Sequence, residues 1–317
     1  MCSVGPIVLG AVLALGSAGW AKSPSDGCKS PVEFYGTYSL GTKAGKGKVT
    51  MPERVEELRS LGGNMIVGAP DDSKLPNAVP SDMWVVPGCS LMHPKAWKRN
   101  GGWDEGTARQ NLALLADRFA RHPRVYGICI THEVTEWADH ARRVWMYKLA
   151  KEFFRDKPVI QYYATLWDKE NARGEKRDEY GKNGERETDI LFVSLQGVSR
   201  DGHYSPNKAK KLEEVLTAAA RTPGVPVWGQ TSINADHKYV TGPDSMLRIW
   251  GEHGEHMSDW TDKLFAVVRK GDDGKALRLS GFFWRSLGRF PYDLGYPEFA
   301  DHRAQVRTVA RKRCGLS

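Results

Sequence analysis

Side chains that could carry out chemistry recur directly after the short apolar segments of this sequence. The clearest case is the pair His132-Glu133, which follows the apolar segment Val125–Ile130. A carboxyl group at the end of a buried strand can donate a proton, because partial burial favours its protonated form. Aromatic rings that can stack on sugar rings, and groups that hydrogen-bond to hydroxyls, follow other apolar segments. The candidate binding residues are Tyr35, His132, Tyr162, Gln196, Gln230, Trp284 and Arg285.

Short apolar segments alternate with longer amphipathic ones along the chain. Eight apolar segments have the length and composition of buried strands. They are Val32–Tyr38, Asn64–Gly68, Met83–Val86, Val125–Ile130, Val159–Ala164, Ile190–Leu195, Val227–Thr231 and Leu279–Trp284. The first amphipathic stretch predicts a helix that has Thr50 as its N-cap and ends at Gly62-Gly63. Further helices are predicted over Glu105–Arg121, Trp137–Phe154, Asn207–Arg221, Asp244–Lys270 and Glu298–Lys312.

This alternation predicts a parallel sheet covered by helices. Eight such units in about 290 residues match an α/β fold, the (β/α)8 TIM barrel. Since no linker-like stretch divides the chain, we expect residues 22–317 to form a single barrel domain. An open doubly wound sheet is the alternative, but no predicted strand is followed by Gly-x-Gly-x-x-Gly or a Walker A pattern. A TIM barrel builds its active site at the carboxyl ends of its strands, where the candidate residues lie.

The segment His122–Glu133 resembles the fourth strand of clan A glycoside hydrolases, in which His-Pro ends a helix and Asn-Glu closes the strand. Val55–Val67 resembles the first helix and second strand of that family, with its Leu-x-x-Leu-Gly-x-Asn pattern. Gly281–Trp284 resembles the eighth strand, whose tryptophan lies under the bound sugar. The resemblance implies an enzyme that cleaves a glycosidic bond in a poly- or oligosaccharide. It gives Glu133 the role of general acid/base and makes Trp284 the stacking platform.

Two positions depart from the pattern of this family. His132 replaces the asparagine before the acid/base glutamate, and Gln230 occupies the place of the nucleophilic glutamate on strand seven. A neutral amide cannot form the glycosyl ester of a retaining mechanism. A second carboxylate could come from another strand end, with Asp168, Asp236 and Asp71 as candidates, in either a retaining or an inverting mechanism. Otherwise the barrel binds glycans without cleaving them.

A metal-dependent hydrolase is an alternative from another class. His132, Glu136 and His140 are spaced by four residues, and His253 and His256 by three. However, His-Glu-x-x-Glu is not the His-Glu-x-x-His pattern of zinc proteases. We therefore predict neither a metal nor another cofactor.

Residues 1–21 have the features of a secretory signal peptide, with a short apolar segment and small residues before Ala21. We expect cleavage after Ala21 and a secreted or periplasmic protein. The ends of a closed barrel lie close together, and an exported protein meets an oxidising environment. The sequence therefore predicts a disulfide between Cys28 and Cys314.

The 317-residue chain has a formal net charge of +8 at pH 7. A basic exported protein can bind acidic polysaccharides, so an acidic poly- or oligosaccharide is among the expected partners. No helix-turn-helix, zinc-finger or RNP-type pattern is present, so we expect no nucleic-acid partner. No apolar run reaches the ~18 residues of a membrane span, so we expect no membrane-spanning segment. We expect the protein to be a monomer.

Overall fold

The computed structural model describes residues 32–44, 47–69, 74–88, 90–164, 180–196, 203–206, 210–232, 244–271, 274–287, 289 and 293–314. Eight parallel strands form its central sheet, as the sequence predicts. The strands are β1 (Phe34–Leu40), β2 (Met65–Ala69), β3 (Trp84–Pro87), β4 (Ile128–Thr131), β5 (Val159–Tyr163), β6 (Ile190–Ser194), β7 (Val227–Ser232) and β8 (Leu279–Leu287). Their order across the sheet is β3-β2-β1-β8-β7-β6-β5-β4.

The two end strands of the sheet approach each other, so that the sheet forms a nearly closed barrel. Val85 of β3 pairs with Val125, just before β4, in a single parallel bridge. The backbone N–H of Val85 donates to the carbonyl oxygen of Arg124 over 3.0 Å. Next to β3, a Cβ atom at Gly88 would lie 1.9 Å from the carbonyl oxygen of Cys129. Only glycine fits this position, because the two chain segments nearly touch there.

Helices follow most of the strands. They are α1 (Met51–Ser60), α2 (Lys74–Ala78), α3 (Glu105–Phe119), α4 (His140–Phe153), α5 (Lys210–Ala219), α6 (Asp244–Trp250), α7 (Glu255–Ala266) and α8 (Ala300–Cys314). Short 3-10 helices cover Pro94–Ala96, Val134–Glu136, Lys182–Gly184 and Pro297–Phe299. Three two-residue antiparallel ribbons pair Lys43–Ala44 with Gly47–Lys48, Lys98–Arg99 with Gly102–Trp103, and Arg269–Lys270 with Ala276–Leu277.

Local capping explains where two of the helices begin. The predicted N-cap Thr50 forms a capping box with Glu53: the hydroxyl oxygen accepts from the Glu53 N–H, and the Glu53 carboxylate accepts from the Thr50 N–H over 2.7 Å. The helix α4 begins three residues later than predicted, at His140. Its N-cap is Asp139, whose carboxylate accepts from the N–H of Arg142 over 2.9 Å.

The prediction of one continuous helix over Asp244–Lys270 is wrong. The helix is interrupted between α6 and α7, where Gly251 and Gly254 have φ angles of 84° and 74°. An α-helix cannot continue through left-handed residues, and glycine adopts them at little cost. The two glycines were the available sequence signal for this break.

The apolar core forms two layers, one inside the barrel and one between the barrel and its helices. Alternate residues of each strand face opposite sides, so the two layers divide every strand between them. The larger side chains of the inner layer are Phe34, Tyr38, Met65, Trp84, Met92, Tyr162, Phe192, Trp228 and Phe283. The outer layer includes Tyr35, Trp97, Tyr163, Trp250, Trp260, Phe282 and Trp284.

Two predictions concern residues outside the described part of the chain. The predicted signal peptide covers residues 1–21, and the expected disulfide needs Cys28 and the side chain of Cys314. Both therefore stay predictions. The thiol of the buried Cys129 donates to the carbonyl oxygen of Thr131 over 3.4 Å. Among the described residues, no helix is long and apolar enough to cross a membrane.

Candidate functional site

Three aromatic rings from separate strands meet at the carboxyl end of the barrel. They belong to Tyr38 of β1, His132 just after β4, and Tyr162 of β5. The three planes are nearly parallel, with interplanar angles of 7°, 13° and 9° and centroid separations of 5.9, 5.2 and 5.0 Å. Phe192 of β6 contacts Tyr38 and Tyr162 edge-on. These rings form the apolar floor of the barrel mouth.

Two short hydrogen bonds fix the polar atoms of this floor. The Tyr38 hydroxyl lies 2.6 Å from Nδ1 of His132. The Tyr162 hydroxyl donates to Oε1 of Gln230 over 2.6 Å. Gln230 is fully buried, and its Nε2 has no hydrogen-bond partner among the described residues. A buried donor of this kind is costly unless it is paired, so Nε2 is an unsatisfied polar atom beneath the floor.

Glu133 occupies a strained position at the carboxyl end of β4. Its backbone is left-handed, with φ 48° and ψ 47°, a conformation that non-glycine residues rarely adopt. The surrounding backbone holds it there: the N–H of His132 donates to Met92 over 3.1 Å, and the indole N–H of Trp137 donates to the His132 carbonyl over 3.0 Å. Its side chain is 37% exposed, and one carboxylate oxygen lies 3.8 Å from Nε2 of His132. Glu133 is therefore held at the mouth and stays accessible to a ligand.

The imidazole of His132 is neutral at neutral pH. Burial lowers its pKa to about 4, and the positive charge of Arg285 acts in the same direction, with smaller effects from His93 and Arg289. A neutral imidazole can accept the hydrogen of the Tyr38 hydroxyl at Nδ1 and keep its own hydrogen on Nε2. That hydrogen lies on the side of Glu133, so His132 can orient the carboxylate without competing for its proton.

We expect the NMR titration of His132 to have its midpoint near pH 4. The exposed His253 is the internal control, because its hydrogen bond to Asp301 raises its pKa above the ordinary value of 6.5. The unfolded chain binds a proton at His132 below pH 6.5 that the folded chain does not bind. Lowering the pH from about 6.5 to about 4 should therefore destabilise the fold through this group. A midpoint near 6.5 would contradict the burial of His132.

The charges of Arg285 and Glu133 act on the same hydroxyl in opposite directions. Burial raises the pKa of the Tyr162 phenol; the positive charge of Arg285 opposes this shift, and the negative charge of Glu133 adds to it. Arg285 pairs with Tyr38 in the register of β8 and β1 and is half-buried. Further along the chain, the carboxylate of the buried Asp293 accepts from the backbone N–H of Arg289 over 2.9 Å. The structure thus brings Glu133, His132, Tyr162, Gln230 and Arg285 together.

Tyr35 and Trp284 do not belong to this mouth, contrary to the prediction that they bind sugar. Both point away from the barrel interior into the outer core layer, and they are 1% and 2% exposed. The Trp284 indole donates to the Tyr35 hydroxyl over 2.6 Å, and that hydroxyl donates to the Val306 carbonyl of α8 over 3.0 Å. Trp250 packs against Trp284 edge-on at 5.8 Å. A ring enclosed in this way offers no face to a sugar.

Tyr35→Phe should lower the free energy of unfolding by about 1–3 kcal/mol. The substitution leaves the Trp284 indole N–H and the Val306 carbonyl without the hydroxyl that pairs them. Urea denaturation would measure the loss. The glycan affinity of the folded variant should stay at the wild-type value. A loss of affinity without a loss of stability would mean that Tyr35 does bind the glycan.

The structure places Gln196 and Glu136, two of the remaining residues considered, at exposed positions. Gln196 lies exposed, two residues beyond the end of β6. Asp168 and Asp236, the candidates for a second carboxylate, lie outside the described residues. Glu136, in the 3-10 helix after Glu133, is exposed.

The histidines of the two candidate metal clusters each contact other partners. Both ring nitrogens of His140 face carboxylates of Glu187 and Glu185, at 2.7 and 3.0 Å. His253 pairs with Asp301 over 2.8 Å, and His256 stacks on Tyr204. Within the described ranges, no group of three or more His, Cys, Asp or Glu residues is placed to hold a metal ion.

Tyr38 is the mouth residue that the candidate set missed. Its sequence signal was its position three residues after Tyr35 in the first strand, which places the two side chains on opposite faces. Because the first strand is buried on both faces, either tyrosine could have faced the barrel interior.

Solved structures with a similar fold are known, although no protein-family model and no curated protein sequence matches this chain. The β-glucuronidase of Ruminococcus gnavus aligns with a TM-score of 0.57 and 11% identity, and that of Faecalibacterium prausnitzii with 0.54 and 14%. Each alignment covers 89% of this chain and 50% of the other chain. A GH2 β-galacturonidase from Eisenbergiella tayi, bound to galacturonate, aligns at 0.55 and 12%, covering 87% and 50%.

These similarities support the barrel fold of the chain. At identities of 11–14% they establish the architecture alone. The chain spans half the length of each of the three structures.

Proposed function

We propose that this protein hydrolyses a glycosidic bond in an acidic poly- or oligosaccharide, with Glu133 as the general acid/base. The observation that carries the proposal is the placement of Glu133. It is a carboxyl group held in a strained backbone conformation at the carboxyl end of β4, beside a neutral imidazole and above an aromatic floor. Strained residues concentrate at functional sites, and the carboxyl ends of barrel strands are where TIM-barrel enzymes carry out chemistry.

The charges around the mouth support an acidic substrate. Arg285 and Arg289 both act on His132 as positive neighbours. A sugar carboxylate would find a cationic group in the half-buried Arg285. The solved structures with a similar fold include enzymes named for glucuronides and galacturonides, whose sugars carry this carboxylate.

Binding without hydrolysis is the second candidate, and Gln230 favours it. The amide of Gln230 is held on the Tyr162 hydroxyl at strand seven, and an amide cannot serve as a nucleophile there. Hydrolysis then requires a carboxylate at another strand end, for which Asp168 and Asp236 stay our proposals.

A panel of glycans separates the two candidates. The wild-type protein is incubated with galacturonate, glucuronate and sulfated oligosaccharides and with neutral ones, and shorter products are identified by mass spectrometry. We expect products from acidic glycans, and the anomer released first tells retention from inversion. A protein that binds these glycans and leaves all of them intact is a binding protein.

A further inference from the structure

A hairpin after β3 brings a lysine and a tryptophan to the rim of the barrel mouth. Lys98–Arg99 pairs with Gly102–Trp103, with Lys98 directly opposite Trp103. The two turn residues, Asn100 and Gly101, have φ angles of 50° and 83°. Positive φ at both central residues is typical of a type I′ turn, for which Asn-Gly is the favoured sequence.

Four tryptophans gather beside this hairpin. Trp103 lies 5.9 Å from Trp137 at an interplanar angle of 25°, and it meets Trp145 edge-on at 5.9 Å. Trp97 is fully buried behind them, and its indole N–H donates to the Leu91 carbonyl over 2.8 Å. Trp103 and Trp137 are partly exposed. The buried tryptophan thus anchors an aromatic surface that solvent can reach.

Two cations lie on this aromatic surface. The ammonium of Lys98 is 4.6 Å from the ring centroid of Trp103 and 5.8 Å from that of Trp137. The guanidinium of Arg142 is 5.4 Å from the ring centroid of Trp103. Neither cation forms an ion pair with another described residue. Their positive charges are therefore available to an anion from outside.

The surface is continuous with the site around Glu133. The indole N–H of Trp137 donates to the carbonyl of His132, the residue before Glu133. The Lys98 ammonium also lies 3.4 Å from the carbonyl oxygen of Trp137. A sugar chain bound at Glu133 that extends over Trp137 would therefore meet this surface.

We propose that Lys98, Trp103, Trp137 and Arg142, which we call the rim patch, bind a second sugar unit that carries a carboxylate or a sulfate group. This inference rests on the proposed function and narrows it: the substrate is an anionic chain of at least two sugars. The face of an indole ring stacks on the C–H face of a sugar ring, and the two cations balance the negative charge of the sugar's anionic group.

Binding measured without cleavage tests the rim patch. Isothermal titration of the Glu133→Gln protein would use three tetrasaccharides: tetragalacturonate, a chondroitin sulfate tetrasaccharide and neutral cellotetraose. We expect at least one of the two anionic tetrasaccharides to bind, and cellotetraose to bind more weakly than that chain. Preference between the first two tells a carboxylate from a sulfate as the recognised group.

Charge-removing variants locate the binding to the patch. Lys98→Gln and Arg142→Gln, combined, should weaken binding of the anionic chain by about tenfold or more and leave cellotetraose unaffected. Lys148→Gln is the matched control, because it removes one exposed cation from the same helix, α4, outside the patch. Unfolding curves of all variants verify that they are folded.

The proposal is overturned if neither anionic chain binds, or if cellotetraose binds as tightly as they do. It is also overturned if the double variant keeps wild-type affinity, or if Lys148→Gln loses as much affinity as the double variant. The proposed function fails in a different way: the anionic chain binds through the patch, but wild-type protein never cleaves it.

Discussion

Replacing Glu133 with glutamine should lower the rate of glycan hydrolysis by about 10²–10⁴-fold. Glutamine keeps the size and shape of the side chain, but its amide has no proton to donate to the leaving oxygen. Substrate affinity should change little, because a protonated carboxyl and an amide are both uncharged. Initial rates on an unactivated oligosaccharide, together with a binding titration, measure the two effects separately.

Glu136→Gln is the matched control for this experiment. Glu136 lies three residues further on, is exposed, and belongs to the 3-10 helix that holds Glu133. Its variant should keep most of the wild-type activity. A wild-type rate that declines as the pH rises would agree with a proton donor, since only the protonated carboxyl donates. Full activity of Glu133→Gln would remove Glu133 from the mechanism.

Much of the barrel could be predicted because its signals are local. Each of the eight predicted strands overlaps an observed one, since each is a short apolar segment between turn residues. The start of α1 at Thr50 was equally readable, because a capping box needs only Thr50 and Glu53. The placement of Glu133 and His132 at the mouth followed from the same segmentation.

The face on which a strand residue lies was not readable. The strand β8 is apolar over Gly281–Trp284 and is buried on both sides, inside the barrel and under the helices. Without alternation between apolar and polar residues, nothing in the sequence tells which alternate set of side chains faces the barrel interior. Trp284 was therefore predicted to lie at the mouth, whereas Phe283 and Arg285 occupy the strand positions on the side of the barrel interior.

The rim patch was missed for a different reason. Its four members come from the hairpin after β3, the loop after β4 and the first turn of α4, and only the tertiary fold brings them together. The turn at Asn100-Gly101 was the local signal for the hairpin. The contacts of Glu187 were unreadable for the same reason, because its partners are 44 and 47 residues away in sequence.

Glu187 is the centre of a buried ionic cluster between β5 and α4. Its carboxylate accepts from the guanidinium of Arg143, from the ring of His140, from the Tyr163 hydroxyl and from the backbone N–H of Gly181. Glu187 and Arg143 are both fully buried. Two opposite charges taken out of water stabilise the fold only as long as each keeps its partner.

Glu187→Gln should therefore lower the free energy of unfolding by about 3–5 kcal/mol, because it leaves the guanidinium of Arg143 buried and uncompensated. Urea denaturation would measure the loss. The control is Glu185→Gln, which removes the half-exposed carboxylate at the other nitrogen of His140. That pair should contribute at most about 1 kcal/mol. Replacing both members of the buried pair, as Arg143→Met with Glu187→Leu, should recover a large part of the lost stability.

The pH dependence of this loss identifies its electrostatic origin. Burial alone would raise the pKa of Glu187, but the hydrogen bond from His140 and the charge of Arg143 outweigh it, so the pKa lies below the ordinary 4.5. The hydrogen bond to Glu187 raises the pKa of His140 above 6.5. A carboxyl with a lowered pKa stabilises the fold above pH 4.5, and this contribution is lost as the pH falls through the folded-state value.

A histidine with a raised pKa contributes fully below pH 6.5, and this part is lost as the pH rises through its folded-state value. The two windows overlap between pH 4.5 and 6.5, where the cluster is most stabilising. The difference in unfolding free energy between the wild type and Glu187→Gln should therefore be largest in that interval and decrease on both sides. A difference that stays constant from acid to alkaline pH would mean that the substitution acts through lost packing instead of lost charge.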